Sequence, residues 1–285
     1  MEQKTRRRGR LAAAALAVGL ALTLTACGGE QATTPENAMK KAQEAMADVS
    51  SMRYAATVHL EMSYMGETID FATNAQTDLI VDPAQMKMDM TINAGPMGEL
   101  SAVTYVIPEG ESYAVYTNAD DGTGSSGWTR EALPDLSQVK QYDGKETMDL
   151  YLDLAENFEA KGTETVDGKE LLRYDGTIQQ EDMKKALQAA GTMELLEEMG
   201  MDGAALLDGQ SEGIALSLWL DPQTYCPMKY EMDMTSLMQT VLTNILGGSE
   251  GSLPGFSIGT CTASMTIQEV NTISSITLPP EATQN

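Results

Sequence analysis

One histidine, two tryptophans and three phenylalanines are all that 285 residues hold of those types. With His59 alone, no Cys/His zinc cluster can be assembled. The string GGSEG at 247–251 copies a nucleophile elbow, but a helical pattern precedes it and His59 lies upstream, so it reads as chance. His59 itself falls on the polar phase of an alternating segment, an exposed bystander. Basic residues are also few: 18 Lys and Arg against 42 Asp and Glu, for a net charge of −24. Such a chain is repelled by nucleic acid and by anionic headgroups, which excludes nucleic-acid binding. The carboxylates are many and none is set apart as an acid–base pair. NADDGTGSSGW offers Asn118, Asp120 and Asp121 to a cation, but its glycine comes early and Thr129 stands where a calcium loop carries Glu. No cofactor, metal or catalytic set is expected, and no enzyme.

Long apolar runs are absent but for one. Lys4, Arg6, Arg7, Arg8 and Arg10 precede LAAAALAVGLALTLTA, too short to span a bilayer and built like a secretory signal. It ends Leu24-Thr25-Ala26-Cys27, which resembles the lipobox of bacterial lipoproteins. The expectation is a signal at residues 1–26, lipidated Cys27, and a short tether over 27–34. Anchoring through several acyl chains suffices for stable attachment. Without residues 1–26 the chain keeps 13 basic and 41 acidic residues, a net charge of −28. The anchor on Cys27, not surface charge, then holds the protein to the outer face of the cell membrane.

Residues 35–285 are expected to form a single domain. Thr34-Pro35-Glu36 is a helix start, and Met39, Ala42, Met46 and Val49 recur on one helical face. Alternation follows: Val58, Leu60, Met62 and Tyr64 against His59, Glu61 and Ser63, then Met86, Met88, Met90 and Ile92 against Lys87, Asp89 and Thr91. Further hairpins are expected at Pro108-Glu109-Gly110 and Asp167-Gly168, with helices near 131–140, 145–159, 181–207 and 237–246. LIVDPAQMKMDMT and LWLDPQTYCPMKYEMDMT share one plan, suggesting successive hairpins of one sheet. Cys226 and Cys261 form either a disulfide or two buried thiols.

Methionine is the abundant residue, 20 in all. Leu60, Met62, Met88, Met90, Met228, Met232, Met234 and Met265 lie on strands in the phase read as inward. They form either a loosely specified core or an adaptable apolar surface for a ligand.

The lipobox, the short first helix, the alternating strands, the closing ITLPPEA and the hairpin at Asp221, Pro222, Thr224, Pro227 and Lys229 together resemble the LolA/LppX-like bacterial lipoproteins. The resemblance implies an α+β fold: a strongly curved antiparallel half-barrel with helices packed on its concave face. It also implies a lipid or acyl chain held in an apolar cavity, with helices such as 181–207 as a lid. The alternative is a cell-envelope interaction or sensory module with a packed interior and a protein partner.

Overall fold

The computed structural model describes residues 33–95, 98–120, 127–133, 144–189, 213–245 and 255–283, and residues from Thr34 onward form one compact unit. The lipobox, Cys27, GGSEG, residues 134–143 and the stretch 190–212 lie outside the described residues.

Eleven antiparallel strands make one sheet: β1 (Ser51–Tyr64), β2 (Glu67–Ile80), β3 (Gln85–Asn93), β4 (Glu99–Glu109), β5 (Ser112–Asp120), β6 (Trp128–Leu133), β7 (Ala155–Val166), β8 (Lys169–Ile178), β9 (Ile214–Leu220), β10 (Pro227–Asp233) and β11 (Phe256–Val270). Their order is β6-β5-β4-β3-β2-β1-β11-β10-β9-β8-β7, open at β6 and β7. The two longest strands, β1 and β11, are paired at the centre, with β-bulges near Arg53 and Glu61.

Turn chemistry explains the tight connections. Met65-Gly66 joins β1 to β2 and Asp167-Gly168 joins β7 to β8, all four residues at positive φ. That conformation matches the twist of the flanking strands. In the hairpin after β9, Asp221 Oδ1 accepts from the amides of Gln223 (2.9 Å) and Thr224 (2.8 Å) and from the Thr224 hydroxyl (3.0 Å). This is the physical content of its Asp-Pro-x-Thr string.

Laid flat, eleven strands would span about 48 Å. Yet one helical layer meets both wings. Helix α1 (Pro35–Ala47) touches β7 and β10, and Val115 of β5 packs on the same core as Phe158 of β7. The sheet therefore curls into a half-barrel around its helices. Helix α1 is capped by Thr34, whose hydroxyl accepts from the Asn37 amide, and buries Ala38, Met39, Ala42 and Met46. Helix α2 (Gly144–Leu154) adds Met148, Tyr151 and Leu152, and α3 (Gln180–Ala189) adds Met183. Helix α4 (Thr235–Ile245) packs along β11.

The outer face carries a second, smaller cluster. Tyr105, Ala114 and Tyr116 are covered by the C-terminal tail through Ile276, Leu278 and Ala282. Asn271 pins the start of that tail: its Oδ1 accepts from the Ser50 amide at 2.7 Å and its Nδ2 donates to the Asp48 carbonyl.

The structure corrects three expectations and decides between two alternatives for the cysteines. The helix expected over 145–159 stops at Leu154, and β7 begins at Ala155. Residues 128–133 are the edge strand β6, where a helix was expected from 131. The two Asp-Pro hairpins, β2–β3 and β9–β10, are not successive in the sheet, because β1 and β11 lie between them. Cys226 and Cys261 are free buried thiols. The amide of Met234, just after β10, donates to the Cys261 carbonyl (2.8 Å), whereas Cys226 lies just before β10, eight residues earlier and about 26 Å away at strand rise. A disulfide cannot span that distance.

Candidate functional site

The concave face divides into a packed half and an open half. In the packed half, Met52 and Tyr54 of β1, Leu79 of β2, Met86 and Met88 of β3, Met232 of β10 and Met265 of β11 meet α1 and α2 in one core. Tyr151 of α2 lies edge-on to Tyr230 of β10, their ring centroids 5.3 Å apart. Burial pushes the Tyr151 phenol up to about 12 and raises that of Tyr230 as well. Among the described residues no charged side chain is buried in this layer.

Beyond Tyr54 the inward phase of β1 continues apolar while the cover by the described helices recedes. Val58 is 41% exposed, Leu60 and Met62 are half-buried, and Tyr64 is again 41% exposed. The neighbouring strands supply the same chemistry in register. Leu60 faces Phe71 and Met62 faces Ile69 on β2, while Ile92 on β3 faces Leu100 on β4, 38% exposed. On the other side of β1 run Ile258 and Ala263 of β11, where α4 buries Leu237 against the core. The result is an apolar trough on the concave face, walled by α4.

A second opening lies where α1, α2 and β7 meet. This cleft of about 870 Å³ is lined by Met39, Leu152 and Phe158, with Lys40, Gln43, Asp153 and Asn157 around them. A hydrogen bond from Gln43 Nε2 to Asp153 Oδ1 ties α1 to α2 at its edge.

The eight inward residues expected from the sequence therefore separate. Met88, Met232 and Met265 are buried in the packed core, and Met90 and Met234 are half-buried against it. Leu60 and Met62 line the open half. Met228 leaves the set, because the pairing of β10 with β9 slips between Pro227 and Lys229. It lines a depression of about 170 Å³ beside Leu171 and Val166. Sequence reasoning missed Ile69, Phe71 and Leu100, although their alternation with polar neighbours was the available signal.

Among the described residues, the two cysteines of the body are buried. Burial raises both thiols, Cys226 and Cys261, to about 11, which keeps them protonated at neutral pH. Among the described residues no three His, Cys, Asp or Glu side chains converge on a common point to hold a metal. No helix among them is long and apolar enough to cross a membrane.

The chain belongs to a family of unknown function (DUF6612), whose profile matches residues 34–285. No curated protein matches it. Among solved structures it is similar to the lipoprotein LppX of Mycobacterium tuberculosis, at 14% identity over 85% of this chain and 97% of that one, with a TM-score of 0.47. It is similar to LprF of Mycobacterium bovis at 10% identity, over 86% and 96% of the two chains, with a TM-score of 0.48. A putative outer membrane lipoprotein-sorting protein domain from Vibrio parahaemolyticus follows at 10% identity, 83% and 93% coverage and a TM-score of 0.26.

Proposed function

We propose that this member of the family is an extracytoplasmic lipoprotein, anchored through Cys27, that binds a lipid or acyl chain in the apolar trough on its concave face and carries out no catalysis. One observation carries the reading: past the described helices that cover the packed half, the inward phase of β1 to β4 stays largely apolar, with Thr73 between Val58 and Ile92 and Glu67 at its end as the polar members. Val58 and Leu100 remain exposed in a face that elsewhere buries such residues. An alkyl chain laid along Val58, Leu60, Met62 and Phe71 gains about 0.8 kcal/mol per buried CH₂. The methionines next to the trough, Met62 and Met90, are flexible enough to accept chains of different shape. With its net negative charge the body does not adhere to anionic headgroups, so the anchor sets its distance from the bilayer.

The test is native mass spectrometry of the protein purified from cells without its lipid anchor. Extra mass that dissociates as a lipid supports the reading and identifies the ligand. A clean apo mass, unchanged after incubation with envelope lipid extract, overturns it and points to a protein partner for the same apolar surface.

A further inference from the structure

Among the described residues four large apolar side chains are exposed: Val58, Tyr64, Met65 and Leu100. Val58 and Leu100 belong to the trough. Tyr64 and Met65 stand at its far end, in the turn between β1 and β2 where the inward phase of β1 runs out. Met65 is 73% exposed, the most of the four, and its φ is 52°. A turn of this kind favours Asn, Asp or Gly there, and Asn157, Asp167 and Asn271 hold comparable conformations elsewhere in the chain. A bare methionine in that position is favoured neither by water nor by the turn, an outlier of the sort found at working sites. The tip is also held in place. The Met65 amide donates to the Gly255 carbonyl at 2.8 Å, and Tyr64 pairs with Phe256, half-buried at the start of β11.

The chain that leads to Cys27 leaves the body in the same half of the sheet. Helix α1 ends beside the start of β1, and its first residues share a cleft with Asn157 and Phe158 at the start of β7. Glu156, Thr177, Ala215, Asp233, Thr262 and His59 form one cross-strand row, so the start of β7 is level with His59 on β1. Tyr64 lies five residues further along β1, about 17 Å at strand rise. Seven residue steps separate Thr34 from Cys27, a reach of at most about 24 Å. An anchored Cys27 and the apolar tip can therefore meet one bilayer surface together. Methionine and tyrosine suit the interfacial zone, where an apolar body enters and a phenol stays wet. The neighbouring acids Glu61, Glu67 and Asp70 oppose anionic headgroups, so the surface that fits is neutral.

We propose that the tip formed by Tyr64, Met65 and Phe256 docks on the neutral surface of the bilayer that holds the anchor, so that the trough opens directly onto lipid. This docking rests on the anchored, lipid-binding reading above. The test places the full lipidated chain in phosphatidylcholine vesicles with a nitrobenzoxadiazole label on one introduced thiol. Thr68→Cys puts the label beside the tip, and Glu111→Cys puts it in the β4–β5 turn at the opposite end of the sheet. Cys226 and Cys261 are buried and Cys27 is acylated, so the label is specific. The label at 68 is expected to shift to shorter wavelength and to be quenched by doxyl-labelled lipid, and the label at 111 to do neither. Met65→Asn suits the turn, so it should keep the urea midpoint while reducing the quenching several-fold. Tyr64→Ser serves the same purpose should that variant fail to fold. Equal responses at both sites, no response at 68, or a full response in the folded variant would overturn the proposal. A response that fades as the protein is diluted in the vesicles would overturn it in favour of a second copy. Native mass spectra of the same preparations separate the two readings. Bound lipid with a wet tip sinks the docking alone, and a docked tip without bound lipid sinks the trough alone.

Discussion

The ring of Phe158 lies against Gly176 so closely that a methyl group built there would come within 2.8 Å of two ring carbons. Phe158 reaches inward because β7 bulges beside it, with Asn157 at a φ of 57°. Gly176→Ala is therefore expected to lower stability by about 1–3 kcal/mol through overpacking. The urea midpoint measures it, and Phe158→Leu in the same chain should recover part of the loss.

Carboxylate placed in the trough should oppose lipid. Val58→Glu puts a charge on the open half at an exposed position and is expected to reduce the lipid-bound fraction several-fold. Thr57→Glu, one residue along and on the outer face, should leave it unchanged. Native mass spectra of the two variants beside the parent decide the matter, with circular dichroism confirming equal folding.

The two thiols make a chemical prediction. Alkylation of the denatured protein under non-reducing conditions should label both Cys226 and Cys261, and neither should react in the native state at pH 8. Their folded values, near 11, lie above the ordinary 9, so burial favours the protonated form. The stability they contribute is complete below about pH 9 and is lost as the pH rises towards 11, with Tyr151 adding to the loss near 12. Urea midpoints at pH 8 and 10.5 should fall accordingly.

Asp221 gives the opposite limb. Burial raises its carboxyl, but hydrogen bonds from Thr224 and Gln223 outweigh that and hold it below the usual 3.8. Its contribution is present at neutral pH and lost as the pH falls through that lowered value. Asp221→Ala should cost about 1–2 kcal/mol at pH 7, and that cost should shrink as the pH is lowered until the Asp221 carboxyl protonates. A cost that stays constant after the carboxyl is protonated would rule out the charged turn as the cause.

Much of this architecture can be read in the chain. Alternation around Met62, Met88 and Met232 gives the strand phase, and the Met39, Ala42 and Met46 face of α1 packs as its spacing implies, with Val49 joining the same core just past the helix. What escapes is whatever depends on pairing between distant strands. Met228 follows the inward phase on paper, and a slip in register against β9 removes it. The cysteines sit in neighbouring strands, but only the β10–β11 register sets their separation. Residues 155–159 keep a helical spacing of apolar groups, and the bulge that turns Phe158 inward has no signature in a window that short.

The central pairing of β1 with β11 also sets the order in which the fold can be completed. Strands β2 to β6 and strands β7 to β10 form two half-sheets whose hydrogen-bonded ladders meet only through that pair. One member is the first strand of the sheet and the other the last. Until residues 256–270 are in place, β1 and β10 each present an unpaired edge, and the loop to be closed is nearly the whole domain. Folding of this kind is slow and rich in non-local contacts. The half-barrel and the concave face it encloses thus come into being together, once the last strand of the sheet has joined the first.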